Sequence, residues 1–291
     1  MSGITKDGLA RTFIDLLRRE STDEREFVVL AADEDIDGMP GMPGHPGTDA
    51  PPTLSAGTVA AAVMLARAVE AEPGLLRALR RGAPLVTIAV PSGEWVAAVE
   101  HAVKVCALGA ACRVLNGDVS RLDHGGTTRR EAMLFARDGS STSHRPDKGN
   151  DAVGEAAQSR HAVIGIAVDP NRTLPRDLVR AAEHRIAVLP LDPSAVGLVV
   201  EAVTGEIPDR ELAGPLAEAC IPTDLRLAVH ADRGAAGALD RLESLVRSGT
   251  SNLCAGPRLE DMHGYGEART FGLALVEDLR LWRNKRIRFS D

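Results

Sequence analysis

Short, uninterrupted runs of apolar residues constrain the fold of this chain more than any other feature. Residues 161–168 (HAVIGIAV) form the clearest run, and residues 84–90 (PLVTIAV) form another. Runs of this length predict strands that are buried on both faces of a sheet. Helix-patterned stretches lie between them, and strands that alternate with helices are typical of a mostly parallel sheet. The sequence therefore predicts an α/β fold with a mostly parallel sheet and covering helices.

Apolar periodicity predicts a helix near the start of the chain. The apolar residues between Leu9 and Leu17 recur at helical spacing, and Asp7 precedes them at the position of an N-cap. Residues 27–32 (FVVLAA) are a short apolar run that predicts a further buried strand. The same patterns predict strands at residues 112–115 and 185–189 and helices at residues 54–70, 94–108, 127–137 and 174–182.

The sequence pattern predicts loops in two segments and a series of helices from residue 193 onward. Residues 33–52 are rich in Gly and Pro, which favour neither helix nor strand, and residues 138–159 are polar with few bulky side chains. From residue 193 onward the predicted helices cover residues 194–203, 209–219, 223–231 and 235–246, with a linker at 248–257 and a last helix at 265–282.

We expect four parts along the chain. They are an N-terminal segment (1–83), an α/β core (84–192), a small helical subdomain (193–247), and a linker with a final helix (248–291).

Net charge, apolar runs and cysteine spacing limit which binding partners and which cellular location we expect. The formal net charge is −7, so the chain as a whole does not attract nucleic acid or anionic lipid. No apolar run approaches the roughly 20 residues that span a bilayer, and the N-terminus has no apolar signal core, so we expect a cytoplasmic protein. The four cysteines form no CxxC pair and predict buried free thiols rather than a metal site or disulfides.

A strand–turn–helix pattern at residues 86–104 (VTIAVPSGEWVAAVEHAVK) has the local organisation that a P-loop requires. A P-loop of the form GxxxxGK[ST] wraps phosphate with glycine amides, neutralises it with Lys and binds Mg²⁺ through a hydroxyl. The turn Pro91-Ser92-Gly93 lacks that set. The pattern predicts a degenerate nucleotide module.

Residues 163–192 (VIGIAVDPNRTLPRDLVRAAEHRIAVLPLD) resemble the strand, loop and short helix that carry sensor 1 and the arginine fingers in AAA+ ATPases. Leu174, Leu178 and Arg180 match the family's Leu-x-x-x-Leu-x-Arg run. Ala167 and Val168 stand where the family has a polar Thr-Asn pair, and Glu183 replaces its second arginine. The resemblance implies that Arg180 is a finger that reaches a neighbouring subunit's nucleotide; a salt bridge within the module is the alternative.

Two later segments extend the AAA+ resemblance. Residues 219–231 (ACIPTDLRLAVHA) resemble the family's lid motif, with Asp224 and Leu225 matching and Thr223 placed as an N-cap. Residues 259–269 (LEDMHGYGEAR), with the helix that follows, resemble the lead-in to an active AAA+ module. The resemblance implies that Gly264 and Tyr265 contact the adenine once a P-loop is supplied.

The order of these parts resembles a Walker-less AAA+ module followed by the lead-in to an active one. The resemblance implies a non-catalytic regulatory or assembly region of an AAA+ ATPase that does not hydrolyse ATP by itself and has no catalytic or metal-binding residues of its own. ATP and Mg²⁺ are implied only for the full-length family. The implied partners are further copies in a ring, or an AAA+ module in cis, and a protein substrate.

Other hypotheses stay open at this point. One is a standalone adaptor with an AAA+-derived fold, and another is an unrelated α/β enzyme with a site near the loop at 33–52. Asp33-Glu34 superficially resembles a Walker B carboxylate pair, but it precedes every other element and no P-loop goes with it, so we interpret it as solvated. A hydrolase triad of Ser92 with His161 or with the pair Asp123-His124 has little support, because the motif G-x-S-x-G is absent. We expect the basic residues from Arg280 to Arg288 to be a solvated helix end rather than a phosphate or RNA site.

Overall fold

The computed structural model describes residues 7–34, 54–119, 130–253, 264 and 266–283. The chain divides into two compact units, Met1–Val246 and Arg247–Asp291. The first unit contains the sheet and most of the helices. The second contains the last helix of the chain.

The sheet consists of five parallel strands, which confirms the predicted α/β class. Its order across the sheet is β2-β3-β4-β1-β5, so β1 lies between β4 and β5. The two apolar runs that dominate the sequence form β1 and β4, which pair directly from Leu85 with Val163 to Ala89 with Ala167. The strands are β1 Leu85–Ala89, β2 Arg113–Asn116, β3 Glu131–Arg137, β4 Ala162–Ala167 and β5 His184–Ala187.

Helices cover both faces of the sheet. The helix after β1 begins at Glu94 and continues beyond Ala102 as a π-helical segment, Val103–Leu108. The helices that the structure describes are α1 Gly8–Glu34, α2 Ala56–Glu70, α3 Leu75–Arg81, α4 Glu94–Ala102, α5 Asn150–Gln158, α6 Pro170–Thr173, α7 Arg176–Ala181, α8 Pro193–Thr204, α9 Gly214–Ala219, α10 Pro222–Ala228, α11 Gly234–Leu253 and α12 Gly266–Arg283.

Helix α2 is the centre of the larger core. Its sequence, AGTVAAAVMLARAVE, is mostly small and apolar, and 11 of its 15 residues are buried. Small side chains let α1, α4, α8 and α10 approach it from several directions. The closest approach is at Gly57, where a Cβ would lie 3.0 Å from the carbonyl oxygen of Pro222. Helices that precede residue 84 in the chain and helices that follow residue 192 therefore share one core.

The smaller core lies on the opposite face of the sheet. There Leu174 and Leu178 are fully buried over Gly165 of β4, together with side chains of β3 and α5. A Cβ at Gly165 would lie 2.6 Å from Cδ1 of Leu174 and 2.8 Å from Cδ2 of Leu178. The glycine thus lets α7 and the loop before it lie directly against the sheet.

Two secondary-structure predictions were wrong about the type of element. Residues 27–32 lie within α1 and are not a strand, because a short apolar run does not by itself distinguish a helix from a strand. The predicted helix at 127–137 is instead the strand β3, which starts at Glu131. Its residues have high helix propensity, but pairing with β2 and β4 in the buried sheet outweighs that preference.

Other boundaries also differ from the predictions. The predicted loop at 138–159 contains α5, and the predicted linker at 248–257 continues as α11 to Leu253. Most of the Gly/Pro loop at 33–52, together with the enzyme site proposed for it, lies outside the described residues. The predicted domain boundaries stay predictions.

An ion-pair network joins the start of α1, α2 and the start of α8. Arg67 on α2 contacts Asp7 Oδ1 at 3.0 Å and Asp192 Oδ2 at 2.8 Å. Asp192 caps α8, because its Oδ1 accepts from Ala195 N at 2.7 Å and from the Ser194 hydroxyl at 2.8 Å. Asp7 occupies the predicted N-cap position of α1, but its carboxylate binds Arg67. The network links segments that are far apart in the chain.

We expect acid to weaken this network over a defined range. Burial raises the pKa of Asp192, but the hydrogen bonds from Arg67, Ala195 and Ser194 outweigh it and hold that pKa at about 2, below its ordinary 3.8. The stabilisation is therefore present above about pH 4 and is lost as the pH falls towards 2. In urea unfolding at a series of pH values, Asp192→Asn should reduce the loss of stability between those limits. The exposed Asp15→Asn is the control, and equal acid dependence in the two variants would contradict the assignment.

Substitutions at Gly165 and at the control position Gly154 should change the stability of the fold in opposite directions. Gly165→Val should destabilise the fold by about 1–3 kcal/mol, because the Leu174 and Leu178 methyl groups that must shift are fully buried in the smaller core. Gly154→Ala, on the exposed side of α5 with no atom within 4 Å of the added Cβ, should stabilise by about 0.5–1 kcal/mol. Chemical denaturation measures both, and a neutral Gly165→Val would refute the tight contact.

Candidate functional site at the carboxyl edge of the sheet

The carboxyl edge of the sheet contains a topological switch point. The chain leaves β1 through α4 on the face of the larger core, whereas α5 and α7, which follow β3 and β4, cover the other face. The direction of winding therefore reverses between β1 and β4. In open α/β sheets, ligands bind in the crevice outside the carboxyl ends of the strands at such a point.

The turn after β1 occupies this switch point. Val90 N–H donates to the carbonyl of Ala167 at 3.0 Å, and α4 begins when Trp95 N–H donates to the carbonyl of Ser92 at 3.2 Å. The hydroxyl oxygen of Ser92 is buried and has no hydrogen-bond partner among the described residues. A Cβ at Gly93 would lie 3.3 Å from the carbonyl oxygen of Asp138, so this glycine lets the turns after β1 and β3 touch. The predicted strand–turn–helix is confirmed.

The end of β4 brings the sensor-like residues beside this turn. Ala167 is buried and Val168 is 41% exposed, and neither has a polar side chain. Asp169 follows and caps α6, with its Oδ1 accepting from Asn171 N at 3.1 Å. Sequence and structure together thus place an aliphatic pair, rather than hydrogen-bonding side chains, next to the turn after β1.

Asp138 and His144 form a second polar group at this edge, which the sequence analysis missed. Asp138 Oδ1 accepts from Ser140 N at 2.9 Å and from the Ser140 hydroxyl at 2.8 Å, and it lies 3.4 Å from His144 Nδ1. The hydrogen bonds from Ser140 lower the pKa of Asp138. The carboxylate therefore stays ionised and is engaged within its own loop, which does not suit it to act as a general base.

Arg137, the last residue of β3, is fully buried and holds the edge together. Its Nη2 donates to Asp118 Oδ1 at 2.6 Å and its Nη1 donates to the carbonyl of Thr173 at 2.6 Å. Further bonds run to the carbonyls of Arg145 and Lys148 at 3.0 and 3.2 Å. One guanidinium thus joins the turn after β2, the loop after β3 and the end of α6.

A cleft of about 610 Å³ opens beside this ion pair at the carboxyl ends of β2 and β3. Its charged lining is mainly acidic, with one lysine: Asp118, Asp147, Lys148, Asp151 and Glu155. Nothing in the sequence pattern marked this cleft, because its residues come together only when β2 and the start of α5 meet across the loop after β3.

The finger-like helix is held by its leucines and presents its arginine outward. Leu174 and Leu178 are core residues, whereas the side chain of Arg180, near the end of α7, is exposed. Arg180 forms no ion pair with the described residues, and only its carbonyl oxygen is bound, by Arg185 Nη2 at 3.4 Å. The alternative of a salt bridge within the module is therefore not seen in the described part of the chain.

The lid-like segment forms α10, but its capping differs from the prediction. Leu225 is fully buried, and Asp224 Oδ2 accepts from Ile221 N at 3.4 Å. Thr223 is not the N-cap, since the helix begins at Pro222 with Ile221 before it. The fixed φ of proline suits the first helical position, which moves the helix start one residue earlier.

The hydrolase and Walker B hypotheses do not fit the geometry. His161 precedes β4 and lies 3.9 Å from Glu131 at the amino end of the sheet, whereas Ser92 follows the carboxyl end of β1. A five-residue strand separates the two edges by about 17 Å, too far for a shared catalytic group. Asp33 and Glu34 end α1 and follow no strand. The pair Asp123-His124 lies outside the described residues.

Several remaining predictions concern the second half of the chain. Gly264 is exposed with φ +93°, and Tyr265 lies outside the described residues. Arg280 contacts Glu277 at 3.6 Å, and the basic residues after 283 also lie outside the described residues.

No helix in the described ranges is long and apolar enough to cross a membrane. No group of three or more His, Cys, Asp or Glu in those ranges is placed to hold a metal ion.

The cysteines follow the predicted pattern where the structure describes them. Cys106 and Cys220 are free and buried, Cys112 is also buried, and Cys254 lies outside the described residues. Burial raises the pKa of Cys106 and of Cys220 to about 12. These two thiols are therefore protonated at neutral pH and unsuited to nucleophilic chemistry.

Comparison of the chain with protein-family models, with curated proteins and with solved structures finds no significant match.

The ion pair of Arg137 predicts a large and specific loss of stability. Asp118→Ala should cost about 3–5 kcal/mol in urea unfolding, because it leaves a buried guanidinium without its countercharge. Combining it with Arg137→Met should cost less than the single change, since no uncompensated charge remains. Asp151→Ala, an exposed carboxylate of the same cleft, is the control. A double variant less stable than Asp118→Ala would contradict this account.

Proposed function

We propose that this chain is a non-catalytic regulatory or assembly region of an AAA+ ATPase, with no ATP hydrolysis of its own. The observation that carries the proposal is the turn after β1. It lies at the switch point of a parallel sheet and leads into a helix, where a phosphate-binding loop belongs. It consists of Pro91, Ser92 and Gly93, with no lysine to neutralise phosphate and a single glycine.

The neighbouring strand end supports the non-catalytic part of the proposal. The sensor-like residues Ala167 and Val168 stand beside this turn, and Val90 is hydrogen-bonded to Ala167. Phosphoryl transfer depends on positioned charge and on hydrogen bonds to phosphate. Aliphatic side chains at the one position and a short turn at the other supply neither.

Arg180 supports the assembly part of the proposal. Its helix is anchored to β4 by Leu174 and Leu178, which makes its position definite, while the guanidinium projects into solvent without an ion pair among the described residues. An arginine in that position is available to a neighbouring subunit or module. In this proposal ATP and Mg²⁺ belong to the full-length family and not to this chain. Gly264 and Tyr265 contact the adenine only when a P-loop is supplied after them.

A standalone adaptor is the second candidate, and an observation on α12 favours it. One face of this helix exposes large apolar side chains, which a monomeric protein rarely leaves in water as a group. They are Phe271, Leu275, Val276, Leu279 and Trp282. The coding sequence beyond codon 291 separates the candidates. An in-frame P-loop sequence supports the AAA+ region, and a stop codon with separate expression supports the adaptor.

Purified chain should show no ATP turnover that belongs to its own residues. We expect background phosphate release that is equal in the wild type, Ser92→Ala and Arg180→Ala, and no rise in melting temperature with Mg²⁺–ATP. The two variants alter the only hydroxyl of the turn and the finger-like arginine. Turnover that co-purifies with the wild type and is lost in either variant would refute the absence of hydrolysis.

A further inference from the structure

A cleft of about 560 Å³ between the start of α1, the end of α2 and α3 is distinct from the carboxyl edge of the sheet. Its apolar floor contains Leu9, Val69 and Leu76. Three arginines of the sequence LLRALRR line one side. They are Arg77, Arg80 and Arg81, and all three are exposed.

The carboxylates of the cleft are engaged within the protein. Glu70 Oε1 accepts from Leu9 N at 3.0 Å, at the first turn of α1. Glu72 Oε1 lies 2.9 Å from His184 Nδ1, where it joins the end of α2 to β5. Neither carboxylate pairs with an arginine of α3. Both carboxylates are therefore held by groups other than the arginines, and the lining of the cleft contains three arginines and two glutamates.

The arginines are much less engaged. Arg80 Nη2 donates to the carbonyl of Cys106 at 2.9 Å, which uses one of its five donors. Arg77 and Arg81 form neither an ion pair nor a side-chain hydrogen bond with the residues that the structure describes. They stand four residues apart on one helix, so their side chains lie on the same face. On a chain of net charge −7, this is a local concentration of unpaired positive charge.

Helix α3 holds these side chains on a fixed support. Leu75 and Leu79 are buried in the larger core on the inner side of the helix. At its end, Arg130 Nη2 binds the carbonyl oxygens of Leu79 and Gly82. A partner would therefore meet two arginines whose backbone is already ordered, which reduces the entropy lost on binding.

We propose that this cleft binds an acidic peptide segment of a partner protein, with carboxylates on Arg77 and Arg81 and an apolar side chain on the floor formed by Leu9, Val69 and Leu76. A planar guanidinium binds a carboxylate through two parallel hydrogen bonds. The cleft is open, since Pro73, Gly74 and the three arginines are all exposed, and an open groove with an apolar floor suits a peptide chain better than an enclosed small molecule.

Fluorescence polarisation with a labelled probe tests this proposal on the full chain. The probe is acetyl-Glu-Glu-Leu-Glu-Glu-Leu-Glu-Glu-amide, and a second probe carries Gln in place of every Glu. We expect the acidic probe to bind, with an affinity that falls as salt is raised, and the Gln probe not to bind. Arg77→Glu with Arg81→Glu should weaken binding at least about tenfold, because two charge-assisted contacts become repulsive.

A matched charge reversal controls for the change in net charge. Arg19→Glu with Arg241→Glu alters two exposed arginines on α1 and α11 that do not line the cleft, and it should leave the affinity within about twofold. Thermal melts establish that both double variants are folded. Arg77→Lys with Arg81→Lys should bind at an intermediate level, since the charge is kept and the paired hydrogen bonds are lost.

Three results would overturn the proposal. The first is that the acidic probe does not bind the wild-type chain. The second is that both charge-reversal pairs reduce its affinity equally, which would mean general electrostatics. The third is that labelled oligo-uridine of equal charge binds more tightly than the peptide through Arg77 and Arg81, which would identify the partner as a nucleic acid.

Discussion

The buried guanidinium of Arg137 is the interaction on which the carboxyl edge of the sheet depends. A charge with no exposure to water is tolerated only when it is paired and its donors are used. Asp118 supplies the countercharge, and the carbonyls of Arg145, Lys148 and Thr173 accept further hydrogen bonds. Because these partners belong to the turn after β2, the loop after β3 and the end of α6, the three segments are ordered together.

The packing around Arg137 shows how closely those segments approach. Its guanidinium carbon lies 5.3 Å from the centroid of the Phe135 ring, a distance at which a cation is attracted to an aromatic face. Gly117 and Gly149 both contact that ring, and a Cβ on either would lie within 2.8 Å of its atoms. Gly149 also has φ +85°, which a residue with a side chain rarely adopts. The long loop after β3 is thus shaped by one aromatic ring and one charge.

The carboxyl edge of the sheet lies where ligands bind in α/β folds, but it contains few side chains suited to catalysis. The turn after β1 lies at the switch point and meets the loop after β3 at Gly93. Two carboxylates of the edge are engaged by internal partners, Asp138 by Ser140 and Asp118 by Arg137. Internal pairing of this kind stabilises the fold.

Two arginines that form no ion pair with the described residues lie elsewhere, side by side on α3. Other charged groups of the helices have partners far away in the chain, such as Arg67 with Asp7 and Asp192. Arg77 and Arg81 differ because the nearby Glu70 and Glu72 are committed to α1 and β5. The tertiary contacts of two carboxylates therefore leave two arginines without an ion pair in the described part of the chain.

The sequence by itself determined the parallel α/β sheet and its two central strands, since the runs 84–90 and 161–168 are too apolar to lie anywhere but in the interior. It also determined the turn Pro91-Ser92-Gly93 and what that turn lacks. The sequence left residues 27–32 ambiguous, since a short apolar run does not distinguish a helix from a strand. Tertiary structure decided that Glu131–Arg137 is a strand, because pairing with β2 and β4 outweighs local helix propensity. It alone brought Asp118 to Arg137, since that pairing needs two strands whose contact no local pattern records.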